Sequence, residues 1–125
     1  MIYAVGIDLV EISRIEKIIE RWRGRFIQKV YSEEEIRYCS AKAHSAQHFA
    51  ARFAAKEAFL KGVGLGMAGG VGFRDVEVIN RAQGKPELQF HGRAREMVYR
   101  DGITECHISL SHTDRYAVAF IVLEK

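Results

Sequence analysis

The sequence predicts an α+β fold, with a mainly antiparallel sheet packed against one long central helix in a single compact domain spanning residues 1–125. Three observations carry that expectation. Helical patterns gather in the first half and end in a long alanine-dense run from about His44 to Lys61. Strand-like alternation dominates the second half, from Phe73 to Leu123. The two kinds of element do not alternate regularly, which disfavours a doubly wound parallel sheet.

Ile2 to Val10 has the Ile and Val content of a buried strand, with a permissive Gly6 just before Asp8. Ser13 and Glu16 have the S-x-x-E spacing of a capping box and predict a helix starting near Arg14. Ile15, Ile18, Ile19 and Trp22 give that helix an apolar stripe, and Gly24 is placed to end or break it. A second capping box, Ser32 with Glu35, predicts a short helix to about Cys39 or Ser40.

The run from His44 to Lys61 contains neither glycine nor proline. Phe49, Phe53 and Leu60 mark its expected buried side, and Gly62 is a ready stop. Six glycines between Gly62 and Gly72 then predict a mobile or tightly turning loop, without the spacing of a Walker motif. Phe73–Asn80 and Pro86–Phe90 read as strands joined by a turn at "RAQGK". A short helix is expected around Ala94 to Arg100, stopped by Gly102. From Ile103 to Ser111, Cys106, Ile108 and Leu110 fall on one face and His107, Ser109 and Ser111 on the other. Asp114 and Arg115 turn the chain into a last strand, Tyr116 to Leu123.

An apolar content of 48% and a charged content of 28% belong to a globular chain with a real core. No stretch approaches the length of a spanning helix, and "MIYAVGIDLV" lacks the basic start and cleavage site of a signal peptide. Cys39 and Cys106 are isolated, which suits a reducing cytoplasm. The net charge of +3 is unevenly placed: Arg14, Lys17, Arg21, Arg23, Arg25 and Lys29 crowd one segment against Glu16 and Glu20. Such a segment is either a solvated helix face or a docking surface for an acidic partner. It carries no nucleic-acid-binding motif, and neither nucleic acid nor membrane is an expected partner.

Asp8 and Glu57 are the candidate catalytic acids. Asp8 closes an apolar strand, and Glu57 lies in a helix with Arg52, Lys56 and Lys61 around it. A hard divalent cation takes oxygen ligands, and a phosphate-bearing substrate takes that cation together with lysines. Each acid also has a plainer explanation. Asp8 could be a turn acid, and Glu57 could pair with Lys61 four residues on, for roughly 0.2–0.5 kcal/mol. His107, on the polar face of its strand, could orient a phosphate, move a proton or meet solvent. His112 falls on the other face and reads as structural. His44 and His48 have metal spacing on a helix but no H-E-x-x-H, so a zinc site is not expected there.

"GIDLVEISRI", "RFAAKEAFLKG", "GKP" and "HISLSHT" occur in this order across the chain. In these segments the sequence resembles the holo-[acyl-carrier-protein] synthases, the small 4′-phosphopantetheinyl transferases of fatty acid synthesis, and it does so over essentially its whole length. The resemblance implies a 4′-phosphopantetheinyl transferase-like fold and a Mg²⁺-dependent transfer of 4′-phosphopantetheine from coenzyme A to a serine of apo-acyl carrier protein. It implies that Asp8 and Glu57 bind the metal, that Lys61 neutralises the coenzyme A phosphates, and that His107 lies near the pyrophosphate. Arg52, Gly64, Gly66 and Pro86 are implied in holding the nucleotide. The basic first helix is implied as the carrier's dock, through Arg14 and Arg21 flanked by Ile18, Arg25 and Phe26, in a homotrimer with sites between subunits. The loop after Lys61 departs from the family's usual "GTG" and reads "GVGLGMAGG". A non-catalytic module for an acidic partner, or a metal-dependent hydrolase of the coenzyme A pyrophosphate, are the rival classes.

Overall fold

The protein is described here by a computed structural model covering residues 1–64 and 70–125. In chain order the elements are β1 (Ile2–Glu11), α1 (Ile12–Trp22), α2 (Gly24–Val30), α3 (Glu33–Ser40) and α4 (Ser45–Gly62). Then follow β2 (Val76–Asn80), β3 (Pro86–Phe90), α5 (Gly92–Arg100), β4 (Glu105–His112) and β5 (Tyr116–Glu124), with a 3-10 turn at Phe73–Asp75 before β2. The α+β expectation holds, with one refinement. The strands form two antiparallel sheets, a three-stranded one in the order β1-β5-β4 and a β2-β3 hairpin.

β5 is the middle strand and sets the register. Asp8 lies opposite Ala119, and Leu110 lies opposite the same residue from the other side. Side chains alternate faces along a strand, so Ala117, Ala119, Ile121 and Leu123 all turn inward beneath α4 and are buried. The other face carries Val5, Ile7, Leu9 and Phe120, each more than two-fifths exposed. β1 therefore departs from the expected buried strand. Its outward residues are apolar, and none of the described residues covers them.

α4 is enclosed on several sides, because β1 and β5 lie under it while α1 and α3 flank it. Ten of its residues are buried, five of them alanines, as close packing around a central helix requires. Phe49 and Leu60 are buried as expected, whereas Phe53 keeps partial exposure. Contact with β1 is closest at Gly6. A Cβ built there would sit 1.9 Å from the Ala58 carbonyl oxygen, and one on Gly62 would meet the Val5 carbonyl at 3.3 Å. Strand and helix backbones touch directly, and only glycine permits it.

Lys56 fixes the hairpin to this core. Its ammonium donates to Glu35 Oε1 at 2.8 Å, to the Phe73 carbonyl at 3.0 Å and to the Val76 carbonyl at 2.6 Å. Glu35 also accepts from the backbone N–H groups of Ser32 and Val78. Both charged side chains are fully buried, and burial lowers the Lys56 pKa against the opposing pull of Glu35. All three ammonium protons have acceptors, so the pair is complete and removal of either member strands a buried charge.

Two helix starts distinguish local from tertiary signals. Ser32 caps α3 in a complete capping box with Glu35, as expected. The Ser13–Glu16 box does not form. α1 begins at Ile12, whose N–H donates to the Arg115 carbonyl, and the Ser13 hydroxyl donates to Glu11 instead. The α1–α2 break falls at Arg23, with a positive φ of 44°, and Gly24 opens α2.

Replacing Gly6 by Ala should push β1 off α4 and cost about 1–3 kcal/mol or more of stability. Gly62→Ala, whose contacts are looser, should cost less. Chemical denaturation of both variants checks this, and an unchanged Gly6→Ala midpoint contradicts the backbone contact.

Candidate active site

The Gly6 contact puts the inward side of β1 against the C-terminal half of α4. Asp8 is the next inward residue after Gly6, and its Oδ1 accepts from Lys61 Nζ at 3.1 Å. Asp8 is largely shielded, at 16% side-chain exposure, while Lys61 remains half in solvent. Glu57, one turn before Lys61, is partly buried on the same flank. Burial raises its carboxyl above the ordinary value, the Asp8 charge raises it further, and Lys61 and Arg14 oppose both. Lys61 thus reaches across to β1, instead of closing a simple pair along its own helix. Two carboxylates from different elements share one small region with two cations.

These residues fit a hard divalent cation. Mg²⁺ keeps several waters and commonly takes one or two protein carboxylates plus substrate phosphates. Glu57 holds its proton more tightly than an ordinary carboxyl, first because it is partly buried and then because of the Asp8 charge, and a bound cation would offset both. Lys56, grouped with these residues by sequence, does not face the site, since Glu35 claims it in the core.

A second recess lies on the opposite flank of α4. Tyr38, His48, Arg52, Asn80, Pro86 and His112 line it. Arg52 and Glu57 are five residues apart, roughly 140° around a helix of 3.6 residues per turn. The acids therefore sit at the β1 edge of the sheet and the recess at the β4 edge. Arg52 is 2% exposed. Its Nη2 donates to Asn80 Oδ1 at 2.6 Å, and its guanidinium carbon stands 4.3 Å from the centroid of the Tyr38 ring. Its Nε is buried without a hydrogen-bond partner among the described residues. His48 is held below the ordinary histidine range by burial and then by the charges of Arg52 and Lys42.

Of the expected nucleotide-binding residues, Arg52 and Pro86 meet in this recess. Gly64 follows α4 with a φ of 75°, just beyond Lys61, and Gly66 lies outside the described residues. His107 does not join the acids. Its register partner is Val122, on the outward face of the sheet, and its Nε2 lies 2.6 Å from Glu124 Oε1 and 3.4 Å from Glu105 Oε2. The expected alternation along β4 is present, but its polar face is the one turned away from α4. His112, set aside as structural, is exposed at the recess, its ring 6.4 Å from that of His48. The usable signal was its position at the end of β4, where a strand gives way to a turn and a side chain escapes the core.

The basic helices keep their charge outward. Arg14, Arg21 and Arg25 are exposed, and Ile18 is partly so. Phe26 packs inward, with ring centroids 6.0 Å from Tyr31 and 6.2 Å from Phe53. The exposed aromatic of this surface is Trp22, flanked by the guanidiniums of Arg21 and Arg25 at 5.3 and 5.9 Å.

Residues 4–121 match the profile of the 4′-phosphopantetheinyl transferase superfamily. A holo-[acyl-carrier-protein] synthase of Geobacter sp. (strain M21) is 47% identical over 125 residues, the full length of both chains. The crystal structure of the Neisseria meningitidis holo-[acyl-carrier-protein] synthase superposes with a TM-score of 0.92 at 34% identity, covering all of both chains. That of Bacillus anthracis, in complex with coenzyme A (3′,5′-ADP), gives 0.80 at 35% identity and covers 98% of this chain and 96% of its own. A match over nearly the whole length, in sequence and in fold, places the chain in the 4′-phosphopantetheinyl transferase superfamily, among its holo-[acyl-carrier-protein] synthases.

Proposed function

We propose that this chain transfers the 4′-phosphopantetheine arm of coenzyme A to a serine hydroxyl of apo-acyl carrier protein and releases adenosine 3′,5′-bisphosphate. The observation that carries the reading is the meeting of Asp8 and Lys61 across the β1–α4 contact, with Glu57 near enough for the Asp8 charge to act on it. The relatives' shared activity and the coenzyme A bound in the Bacillus anthracis enzyme support the same assignment.

Asp8 and Glu57 are the residues that would hold Mg²⁺. When bound, the ion would supply positive charge to the pyrophosphate oxygens as the bridging P–O bond breaks. Lys61, half exposed and already aimed at this region, adds a mobile cation for the non-bridging oxygens. The attacking oxygen comes from the carrier, so this chain has no need of a nucleophile of its own. The serine oxygen forms the new bond to phosphorus, and the bisphosphate leaves with the bridging oxygen.

The recess around Arg52 would take the nucleotide end. Its guanidinium stacks on Tyr38, and His48, Asn80 and His112 offer polar groups around the opening. One nucleotide cannot easily use the recess and the acids of the same chain, because α4 stands between them. A site assembled from two copies removes the difficulty, and the uncovered apolar face of Val5, Ile7, Leu9 and Phe120 offers those copies a contact. A homotrimer with sites between its subunits is the arrangement this favours. Arg14, Arg21 and Arg25, with Ile18 and Trp22, form the dock for an acidic carrier. The setting is a reducing cytoplasm. Burial pushes the Cys39 and Cys106 thiols up to about 12, away from ready oxidation.

Incubation with coenzyme A, Mg²⁺ and apo-acyl carrier protein, followed by the carrier's mass, tests the reading. A phosphopantetheine adduct is expected, whereas coenzyme A cleavage without an adduct would make the chain a hydrolase. Asp8→Ala and Glu57→Ala should each lower Mg²⁺-dependent turnover by about 100-fold or more. The melting temperature of Glu57→Ala should hold or rise, since it removes one of two repelling charges, whereas Asp8→Ala also removes the ion pair with Lys61 and should leave it nearly level; retained turnover contradicts the metal role. Arg21→Glu should raise the KM for the carrier and flatten its salt dependence while leaving the KM for coenzyme A unchanged. Arg21 is a cleaner probe than Arg14, whose charge also acts on Glu57. An equal change in both constants argues against docking on α1.

A further inference from the structure

Arg52 is a buried cation without a buried anion. It is 2% exposed, and among the described residues no carboxylate lines its recess. We propose that Asn80 is a positioning residue for nucleotide binding, whose neutral amide aims the Arg52 fork without cancelling its charge and so keeps a cation available to a phosphate of the incoming nucleotide. This rests on the recess taking the nucleotide end of coenzyme A, as proposed above.

Three contacts fix the guanidinium. Nη2 donates to Asn80 Oδ1 at 2.6 Å, Nη1 donates to the His48 carbonyl at 3.3 Å, and the plane stacks on Tyr38 with its carbon 4.3 Å from the ring centroid. An arginine only donates, so Asn80 must present its oxygen, and its Nδ2 then donates to the Gly84 carbonyl at 3.2 Å. Both ends of the amide are engaged, and Asn80 acts on a ligand through Arg52. Gly84 belongs to the tight turn between β2 and β3, with a φ of 79° and its N–H donating to the Arg81 carbonyl. Asn80 and Pro86 face each other at the base of that turn. One neutral amide therefore joins α4 to the hairpin tip.

The choice of an amide over an acid decides what the recess can hold. An aspartate has nearly the same shape and would bind a guanidinium more strongly, but it would also neutralise it. A buried ion pair satisfies itself, as Lys56 and Glu35 do in the core. A guanidinium held by an amide, a carbonyl and a ring keeps its attraction for an anion. The field around it is accordingly positive. His48 is held below the ordinary histidine range by burial and then by the Arg52 and Lys42 charges, and the Lys42 ammonium lies 4.6 Å from the same Tyr38 ring centroid. With its Nε still lacking a partner among the described residues, the fork has not exhausted its hydrogen-bonding capacity either.

Asn80→Asp and Asn80→Ala separate charge from shape. Isothermal titration of the full-length chain with adenosine 3′,5′-bisphosphate alone reads the recess without carrier or turnover. Asn80→Asp should weaken binding at least about tenfold and Asn80→Ala by less, since only the acid cancels the Arg52 charge. The melting temperature should run the other way, with Asn80→Asp equal to or above Asn80→Ala, because the acid completes a buried ion pair. A purely structural role would move affinity and stability together. The KM for coenzyme A should follow the measured affinities while the KM for the carrier stays put. Equal or greater weakening by Asn80→Ala, or a lower melting temperature for Asn80→Asp than for Asn80→Ala, overturns the proposal. Failure of the unsubstituted chain to bind the bisphosphate would remove the nucleotide from the recess altogether, and that failure is seen before any substitution is made.

Discussion

The backbone contact between Gly6 and Ala58 is the constraint on which the rest of the molecule depends. A strand and a helix usually meet through side chains, which hold their backbones apart. Here any side chain at Gly6 would overlap a helix carbonyl. β1 consequently lies so close to α4 that Asp8, two residues on and on the same face, comes within salt-bridge reach of Lys61. The same approach places the Asp8 charge close enough to raise the pKa of Glu57. A stability feature and a chemical feature are thus one geometric fact. The alanine content of α4 follows from it, because a helix pressed on by a sheet and two further helices has little space for larger residues.

The buried Lys56–Glu35 pair performs the corresponding task on the hairpin side. It ties α3, α4 and the start of β2 with hydrogen bonds that leave no ammonium proton unused. Asn80 and Pro86 lie at the far end of that hairpin, directly across from each other, and both reach the recess of Arg52. A fixed hairpin therefore means a fixed recess. Such a pair adds little net stability over a well-packed apolar substitute, but its geometry is demanding, and geometry is what a nucleotide-binding wall requires.

Local signals were legible in the sequence and long-range ones were not. The Ser32–Glu35 box formed because all its partners lie within one turn, whereas the Ser13–Glu16 box lost to a hydrogen bond between Ile12 and Arg115, 103 residues away. The long helix, the hairpin and the last two strands were readable from periodicity and turn residues. Lys56 and Lys61 look alike in sequence, and only Glu35 on α3 decides that one is core and the other faces Asp8. For His107 the alternation was right, but which face the site uses depends on where α4 lies. Phe26 and Trp22 exchanged expected roles for the same reason, since inward and outward are set by Tyr31 and Phe53. Asp8 and Glu57 could be named from sequence, and their proximity could not.

The separation of acids from recess by α4 has one consequence for how the protein works. If each active site takes the acids from one chain and the recess from its neighbour, two differently disabled chains should complement each other. Asp8→Ala removes the metal-side half, and His112→Glu sets a negative charge at the exposed mouth of the other. Turnover of carrier by hybrid oligomers, prepared by co-expression of the two variants, measures this directly. Two inactive parents and a hybrid with about a quarter of wild-type turnover, the statistical share of sites with both halves intact, are expected. A hybrid as inactive as its parents would mean that each chain builds its site alone, against a site shared between chains.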